Sequence, residues 1–391
     1  MKKYSLDKFK ENRKSKEMKK LTIITTIAIS VLILLALYMA NSSFRSFIDT
    51  YILRKEISEE NANSIIIDTE KASLIYAYDK NLVVYSDGNL NFYDVTAKQV
   101  ANIEITLSRP IADSEKKYLV LGDYGSQKIC LLKDNELVWQ KDVDGKVSKI
   151  SVNREGYVAV SVTGTTYESI VMVYNPKGDL QFSKYISQYV LGIDISEDHK
   201  YLAIAEMDNT KISPTTKIEL VSMELATSNS EKATVNSYQA STNEYLSGIK
   251  FQNKKNLICC FDSYILKLNE KENKKIYELS ENTAYTDINM LSGFIHVDKE
   301  TSSVFKSDYR LKINSNDEKA KEKVYIIEGN IKDIKSKDEK IALHLGTKVE
   351  FVGKNGWLDK KYKSSQEIKD VVLSNEIGAM IHKNKIDIIE L

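Results

Sequence analysis

The sequence predicts an all-β fold: a β-propeller of seven or eight four-stranded blades, with eight favoured, preceded by one transmembrane helix. Three observations support this prediction. A single long apolar run follows a basic N-terminal segment. A compact apolar run then recurs eight times at a nearly constant interval. The last repeat is one strand short, and an unused strand lies before the first repeat.

The long apolar run spans residues 21–40 and contains no charged residue, proline or glycine. Twenty helical residues extend about 30 Å, the thickness of the hydrocarbon core of a bilayer. Residues 1–20 hold nine Lys or Arg against three acidic residues, so the positive-inside rule predicts a cytoplasmic N-terminus and an exported C-terminal part. A cleaved signal peptide is the alternative. Its apolar region would be shorter, and Tyr38 stands where cleavage requires a small residue.

These patterns divide the chain into four predicted segments: a cytoplasmic basic tail at 1–20, a signal anchor at 21–40, a juxtamembrane amphipathic helix and linker at 41–63, and an extracytoplasmic propeller at 64–391. An apolar stripe at helical spacing predicts the juxtamembrane helix. Its residues are Phe44, Phe47, Ile48, Tyr51 and Ile52. The stripe would pack on the propeller or lie at the membrane interface; the alternative is that it pairs with a membrane segment of a partner.

The repeats begin after residue 63, where the apolar period changes to two, as in half-buried strands. The eight compact runs occupy residues 82–85, 118–121, 157–160, 201–204, 257–261, 294–297, 341–345 and 377–381. Their starts, from Leu82 to Ile377, are about 42 residues apart on average. Most runs have another short strand before them and a third after them. A period of about 40 to 45 residues with four strands per unit is the spacing of WD40-type propellers.

The chain end indicates how the ring closes. The last unit supplies only three strands before Leu391, and a sheet of three strands would leave an open edge. The strand at residues 64–68 can supply the fourth, which gives eight blades. Seven blades is the alternative, because the unit around Phe294 is degenerate and could belong to a neighbour.

Insertions and aromatic residues mark the blades further. Polar insertions at 208–216, 227–242 and 314–323 are predicted to be solvated loops. Trp139, Phe182 and Trp357 each follow a turn at equivalent places in their units. This recurrence predicts packing between blades.

Three segments of the chain carry a family resemblance. Residues 61–93, 150–166 (ISVNREGYVAVSVTGTT) and 195–206 (ISEDHKYLAIAE) resemble an uncharacterised clostridial or firmicute family of single-pass membrane proteins. Members of that family have an exported WD40-like or quinoprotein-like propeller, catalogued as a domain of unknown function. The resemblance implies the topology and the fold, and it implies no catalytic residues.

Sequence motifs of enzymes and metal sites are absent from the chain: it has no G-x-S-x-G, no phosphate-binding glycine-rich loop and no H-E-x-x-H. Its histidines, His199, His296, His344 and His382, are scattered without the spacing of metal ligands. His296 and His344 are predicted to be sheet residues, and His382 a solvated turn residue.

Two weaker patterns also fail as sites. Ser114 and Lys117 have the S-x-x-K spacing, but they fall in a predicted hairpin rather than on one helical turn. Asp142 and Asp144 precede Gly145, but the loop lacks the later ligands of a calcium site. A cradle for a quinone cofactor cannot be assembled either. We therefore assign no catalytic, cofactor-binding or metal-ligating residue and expect no cofactor.

Charge and cysteine content exclude two classes of protein. The whole chain carries a net charge of +1 and the basic tail +6, which leaves about −5 on the exported part. That balance argues against binding of nucleic acid. Cys130, Cys259 and Cys260 are too few for a disulfide framework and are predicted to be buried.

The sequence therefore predicts a plasma-membrane protein whose propeller is a non-catalytic binding or scaffolding module at the cell envelope. Its expected partners are the lipid bilayer, through the single helix, and an envelope protein or a cell-wall glycan. One alternative is an exported enzyme of the hydrolase or lyase type, with acids that converge in the central funnel. Another is an accessory subunit of a membrane complex that acts through the anchor helix.

Overall fold

A computed structural model describes residues 2–40, 44, 48, 52–53, 55–164, 166–210, 213–303, 306–317 and 319–391. It contains two compact units, Met1–Ile57 and Ser58–Leu391.

The first unit is dominated by one helix, α1 (Lys2–Ala40). Its portion Met18–Ala40 is long and apolar enough to cross a membrane. The polar residues of the apolar run satisfy their hydroxyl groups within the helix: Thr22 donates to the carbonyl of Met18 (2.9 Å), and Ser30 donates to that of Thr26 (2.9 Å). Helical hydroxyl groups bonded in this way add no unsatisfied donor in an apolar surrounding.

Most of the predicted juxtamembrane helix, including Phe47 and Tyr51, lies outside the described residues. The linker predicted to follow it is partly regular. A short strand, β1 (Glu56–Ser58), stands at the boundary of the two units, and a 3-10 helix (Glu59–Asn61) follows it.

The second unit is an eight-bladed propeller of four-stranded antiparallel sheets. Blade 1 contains β3 (Leu74–Tyr78), β4 (Asn81–Ser86), β5 (Asn89–Tyr93) and β6 (Gln99–Glu104); blade 2 contains β7 (Pro110–Glu115), β8 (Tyr118–Asp123), β9 (Lys128–Lys133) and β10 (Glu136–Asp142); blade 3 contains β11 (Lys146–Val152), β12 (Val158–Thr163), β13 (Ser169–Tyr174) and β14 (Leu180–Ile186); blade 4 contains β15 (Tyr189–Ile195), β16 (Tyr201–Asp208), β17 (Thr215–Ser222) and β18 (Thr234–Gln239).

The other four blades have the same order of strands. Blade 5 contains β19 (Leu246–Phe251), β20 (Leu257–Phe261), β21 (Tyr264–Leu268) and β22 (Asn273–Glu278); blade 6 contains β23 (Thr283–Asp287), β24 (Gly293–Ser303), β25 (Lys306–Ser315) and β26 (Lys323–Ile327); blade 7 contains β27 (Asp333–Lys337), β28 (Lys340–His344), β29 (Lys348–Gly353) and β30 (Leu358–Lys363); blade 8 contains β31 (Asp370–Leu373), β32 (Ile377–Ile381), β33 (Lys385–Glu390) and the N-terminal β2 (Asn63–Ile66).

The eight compact runs of the sequence all fall in the second strand of a blade, where both faces of the sheet are covered. β2 pairs with β33, with Ser64 opposite Asp387. The ring therefore closes between the N- and C-terminal strands, and the prediction of eight blades is confirmed. The degenerate unit around Phe294 forms the complete blade 6 because β24 and β25 pair along most of their length.

The antiparallel order places successive loops on alternate faces of the ring. We call face I the side that holds the loops between blades and those between the second and third strands. Face II holds the loops between the first and second strands and between the third and fourth. The assignment of each loop to a face follows from the antiparallel order of the strands.

The prediction that residues 227–242 form a solvated loop is wrong. Residues 227–242 include the end of a helix, α2 (Met223–Asn229), then a 3-10 helix (Ser230–Lys232) and strand β18. Ser222 caps α2 by accepting a hydrogen bond from the amide of Leu225, and Met223 and Ala226 are buried on one side. With only two buried positions, the helical period is too short to recognise in the sequence. α2 is the only α-helix among the described residues of the propeller.

Aspartate side chains join neighbouring blades at the inner strands. Their carboxylates accept hydrogen bonds from backbone amides of the next blade: Asp113 from Val152 (2.9 Å), Asp194 from Phe251 (2.6 Å) and Asp287 from Ser336 (3.1 Å). These aspartate joints link blade 2 to 3, blade 4 to 5 and blade 6 to 7. They satisfy amide groups on the inner edge of each sheet, where no further strand pairs.

The three cysteines are free and buried, as predicted. Cys130 lies in β9, whereas Cys259 and Cys260 are neighbours in β20. Burial raises the pKa of the Cys130 thiol to about 12, so this thiol stays protonated and unreactive at neutral pH.

Candidate functional site

The central channel is where acids of an enzyme would converge, and charged side chains do gather there. Lys337 donates to the carbonyl of Ser114 (2.8 Å), and Lys116 pairs with Asp338 (3.5 Å). These contacts link blade 2 to blade 7. A cavity of about 30 Å³ remains beside them, about enough for one water molecule.

The buried acids of the channel region are engaged in structural contacts. Asp194 accepts hydrogen bonds from Ser151 (2.8 Å) and Phe251 (2.6 Å), and its carboxylate lies 3.4 Å from Lys250 Nζ. Burial opposes the charge of Lys250, but the carboxylates of Asp194 and Asp113 outweigh burial and raise its pKa. The arrangement holds neighbouring blades together.

The histidines do not form a site. His296 and His344 lie in β24 and β28, as predicted, whereas the solvated position predicted for His382 is wrong because its side chain is fully buried. Nδ1 of His382 lies 3.1 Å from the carbonyl of Glu367, and Nε2 lies 3.2 Å from the hydroxyl of Tyr362. Among the described residues, no group of three His, Cys, Asp or Glu side chains could hold a metal ion.

The S-x-x-K pair lies where the sequence placed it. Ser114 is in β7, and Lys117 lies in the hairpin turn between β7 and β8. The hydroxyl of Ser114 lies 3.2 Å from that of Tyr76. A serine on a strand and a lysine in the following turn do not have the helical geometry for activating a nucleophile.

Exposed tyrosines are confined to one side of the ring. Among the described residues of the propeller, five tyrosines are exposed, between 42% and 62% of their area. All five lie at loops or strand ends of face I, in blades 2 to 5. They are Tyr124, Tyr167, Tyr185, Tyr189 and Tyr245. We call this surface the tyrosine face. Exposed aromatic residues gathered on one side are typical of protein interfaces.

Three of these tyrosines form a cluster at the junction of blades 3 and 4. The rings of Tyr167 and Tyr185 are 4.8 Å apart. Tyr189 is hydrogen-bonded to Glu168, and this bond raises the pKa of its hydroxyl. The strand period explains the exposure of Tyr185, because Lys184 and Ile186 on either side of it are buried.

A groove of about 390 Å³ adjoins the cluster between blades 3 and 4. Tyr185 lines it together with charged side chains of β14, β16 and β17. Lys217 pairs with Glu206 (3.1 Å) and also bonds Glu219, which lies 3.5 Å from Lys184. The groove therefore has fixed polar walls beside a rim of aromatic rings.

Two of the three aromatic residues that the sequence predicts to pack between blades do so. Phe182 is buried, and Nε1 of Trp139 donates to the carbonyl of Pro176 in the next blade (3.2 Å), so both pack between blades as predicted. Trp357 is 45% exposed instead. The sequence does not predict the tyrosine face, because it does not show which strand ends meet on the same side of the ring.

Comparison with known proteins gives a family and a fold. The model described as "Family of unknown function (DUF5711)" matches residues 53–391. No curated protein matches the chain. The structure of Sqt1 from Chaetomium thermophilum, bound to the N-terminus of ribosomal protein L10, is similar with 13% identity, a TM-score of 0.53 and coverage of 84% of this chain and 100% of that one.

Two further structures show weaker likeness. BamB from Moraxella catarrhalis has 11% identity, a TM-score of 0.49 and coverage of 84% of this chain and 98% of that chain. The WD40 domain of Neurospora crassa Pan2 has 9% identity, a TM-score of 0.43 and coverage of 81% and 88%. At such identities, the likeness concerns the fold alone.

Proposed function

The chain belongs to this family of unknown function (DUF5711), and we propose that it is a membrane-anchored, non-catalytic binding module whose tyrosine face docks a protein partner. One observation carries the proposal: the five exposed tyrosines lie on one face and span four consecutive blades. Tyrosine contributes large contact area at low entropic cost. Spread over four blades, these rings suit the broad contact surface of a protein better than a small ligand.

The central channel supports a role without catalysis. Asp194 and Asp113 are held by backbone amides and lysine, and the cavity beside them admits about one water. A hydrolase or lyase would need an open site with an acid free to exchange protons. Sqt1, whose structure has a similar fold, is bound to the N-terminus of ribosomal protein L10, which is the type of interaction we propose here.

We further propose that α1 anchors the chain in the plasma membrane, with residues 1–20 in the cytoplasm and the propeller outside. Support comes from the apolar stretch Met18–Ala40 and from the positive charge before it. The bilayer would then be one partner, and an envelope protein the other.

Sidedness can be tested with thiols, because burial keeps the native cysteines unreactive. A Ser187→Cys variant places a thiol at an exposed position of face I, and a Ser5→Cys variant places one in the tail. In intact cells, a membrane-impermeant maleimide should label the first variant and label the second only after permeabilisation. Labelling of the second variant in intact cells would contradict the proposed orientation, and the unmodified chain is the control for native thiols.

Docking can be tested with a photocrosslinking residue at Ser187 on face I or at Thr96, which is exposed on face II in blade 1, in the full chain in its native membrane. A discrete adduct is expected from position 187 and not from position 96. The triple variant Tyr167→Ser, Tyr185→Ser, Tyr189→Ser should reduce that adduct about tenfold or more, because interface tyrosines often contribute over 1 kcal/mol each.

The matched control is Trp357→Ser, which removes an exposed aromatic residue from face II. Thermal melts should show that these variants stay folded, because the substituted side chains are exposed. An adduct that is unchanged in the triple variant, or equally lost in Trp357→Ser, would rule out docking through the tyrosine face.

A further inference from the structure

A second, larger groove lies on face II, on the opposite side of the ring from the tyrosine face. It has a volume of about 760 Å³, within the range of about 300 to 1,000 Å³ typical of ligand sites. The turns of blades 3, 4 and 5 form it together with α2, the insertion that sets blade 4 apart. We call it the face II groove.

Part of the wall is apolar. Leu225 projects from α2 and is 52% exposed, whereas Phe182 and Met223, which also line the groove, are buried. The cap at Ser222 fixes the start of α2 and therefore the position of Leu225. An exposed leucine beside a buried apolar floor offers contact area to an apolar side chain of a ligand.

The remaining wall is mostly acidic. Asp198, Glu224 and Glu270 line the groove against one ammonium group, that of Lys200, which lies 3.6 Å from Asp198. Glu224 and Glu270 are exposed and form no ion pair among the described residues. At neutral pH the lining is therefore net negative, and a concave surface of one sign attracts the opposite charge.

Aromatic rings complete the acidic end. Glu270 accepts a hydrogen bond from the hydroxyl of Tyr201 (2.9 Å), so a carboxylate and a ring stand together. The ring of Tyr157 stacks on His199 at 4.3 Å, and His199 in turn pairs with Glu155. A carboxylate beside an aromatic face suits a lysine or arginine side chain, which gains from both.

We propose that the face II groove binds an extended segment of a partner polypeptide in which a lysine or arginine stands next to a large apolar residue. The basic side chain pairs with Glu224 and Glu270, and the apolar one packs on Leu225. A polyamine would satisfy the carboxylates and leave Leu225 uncovered, and an anionic ligand would bring like charges together. This site is separate from the tyrosine face and does not depend on it.

The test uses the full chain in a non-ionic detergent and three fluorescein-labelled heptapeptides. Each peptide carries the central triplet Lys-Leu-Lys, Lys-Ser-Lys or Glu-Leu-Glu between Gly-Ser flanks, and fluorescence anisotropy measures the Kd. Detergent alone provides the blank. We expect binding of the Lys-Leu-Lys peptide that weakens with rising salt, and at least about fivefold weaker binding of the other two.

The variants assign the binding to this groove. Glu224→Gln with Glu270→Gln, and separately Leu225→Ser, should each raise the Kd for the Lys-Leu-Lys peptide about fivefold or more. The matched control, Glu104→Gln with Glu281→Gln, changes the net charge equally at exposed sites elsewhere and should leave the Kd unchanged. Thermal melts should show that all variants stay folded.

Three results would overturn the proposal: no binding of the Lys-Leu-Lys peptide above the blank, equal binding of the Lys-Ser-Lys or Glu-Leu-Glu peptide, or the same Kd in the groove variants as in the matched control. Crosslinking from Ser187 on face I should be unaffected by the groove variants, so this proposal and the proposed docking on the tyrosine face fail independently.

Discussion

Replacing Asp387 with alanine should destabilise the propeller by about 3 kcal/mol or more, a large share of the stability of a typical domain. This side chain is fully buried where the ring closes. Its carboxylate accepts hydrogen bonds from Ser64 (2.5 Å) and Lys385 (2.9 Å), and it also bonds Tyr362 and His382. Alanine leaves these donors without an acceptor. It also removes the side-chain contact between β2 and β33, the two strands that close the ring.

Urea unfolding of the full chain in detergent, followed by tryptophan fluorescence, measures this loss. The matched control is Glu70→Ala, which breaks an ion pair with Lys369 (2.8 Å) in the same blade. The side chains of that pair are 57% and 42% exposed, so solvent screening should leave the control with a much smaller loss than Asp387→Ala. Similar losses in the two variants would contradict the importance of the buried carboxylate.

The contribution of Asp387 also depends on pH. Burial alone would raise its pKa, but the hydrogen bonds from its partners outweigh burial and hold the pKa well below its usual range. Because the folded-state pKa is lowered, the stabilisation is fully present above the unfolded-state pKa of about 3.9 and is lost as the pH falls below that value. The difference in free energy of unfolding between the wild type and Asp387→Asn should therefore shrink between about pH 5 and pH 2.

Replacing Asp194 with alanine should cost about 2 to 4 kcal/mol. The variant removes the acceptor for the amide of Phe251 and leaves the ammonium group of Lys250 without its closest carboxylate partner. A second variant that also replaces Lys250 with methionine should recover part of the loss, because it removes the unpaired charge as well.

Asp370→Ala is the matched control for this prediction. Asp370 lies on an inner strand and pairs with Lys335 of the neighbouring blade (2.6 Å), but their side chains are 47% and 35% exposed. Solvent screening should limit the loss to less than about 1 kcal/mol. If Asp194→Ala is no more destabilising than Asp370→Ala, burial does not strengthen the aspartate joint.

The ring itself was predictable because its signals are local and repeated. Each second strand is a short apolar run, and the run at Ile377 is as clear as the run at Leu82. The last unit lacks a strand, and an extra strand begins at Ser64. Together they predicted the pairing of β2 with β33 that closes the ring. Strand pairing needs only the alternation of residues and their count, and both are present in the sequence.

The surroundings of single residues were less predictable because they depend on distant parts of the chain. His382 follows β32 in a short polar turn, and such a turn predicts exposure to solvent. It is buried because Tyr362, from blade 7, reaches it across the junction with blade 8. The face II groove likewise brings Glu224 and Glu270 into one lining, although they belong to different blades. Such contacts depend on which blades are neighbours in the ring and on how their strands align. A local sequence pattern does not contain that information.

The aspartate joints couple the inner strands in pairs of blades. In each of the three joints, the acceptor belongs to an even-numbered blade and the amide to the odd-numbered blade that follows. Blades 2 and 3, 4 and 5, and 6 and 7 are therefore tied in pairs at the centre of the ring. Among the described residues no such joint ties blade 8 to blade 1, so the inner strands on the two sides of that junction depend on other contacts to stay together.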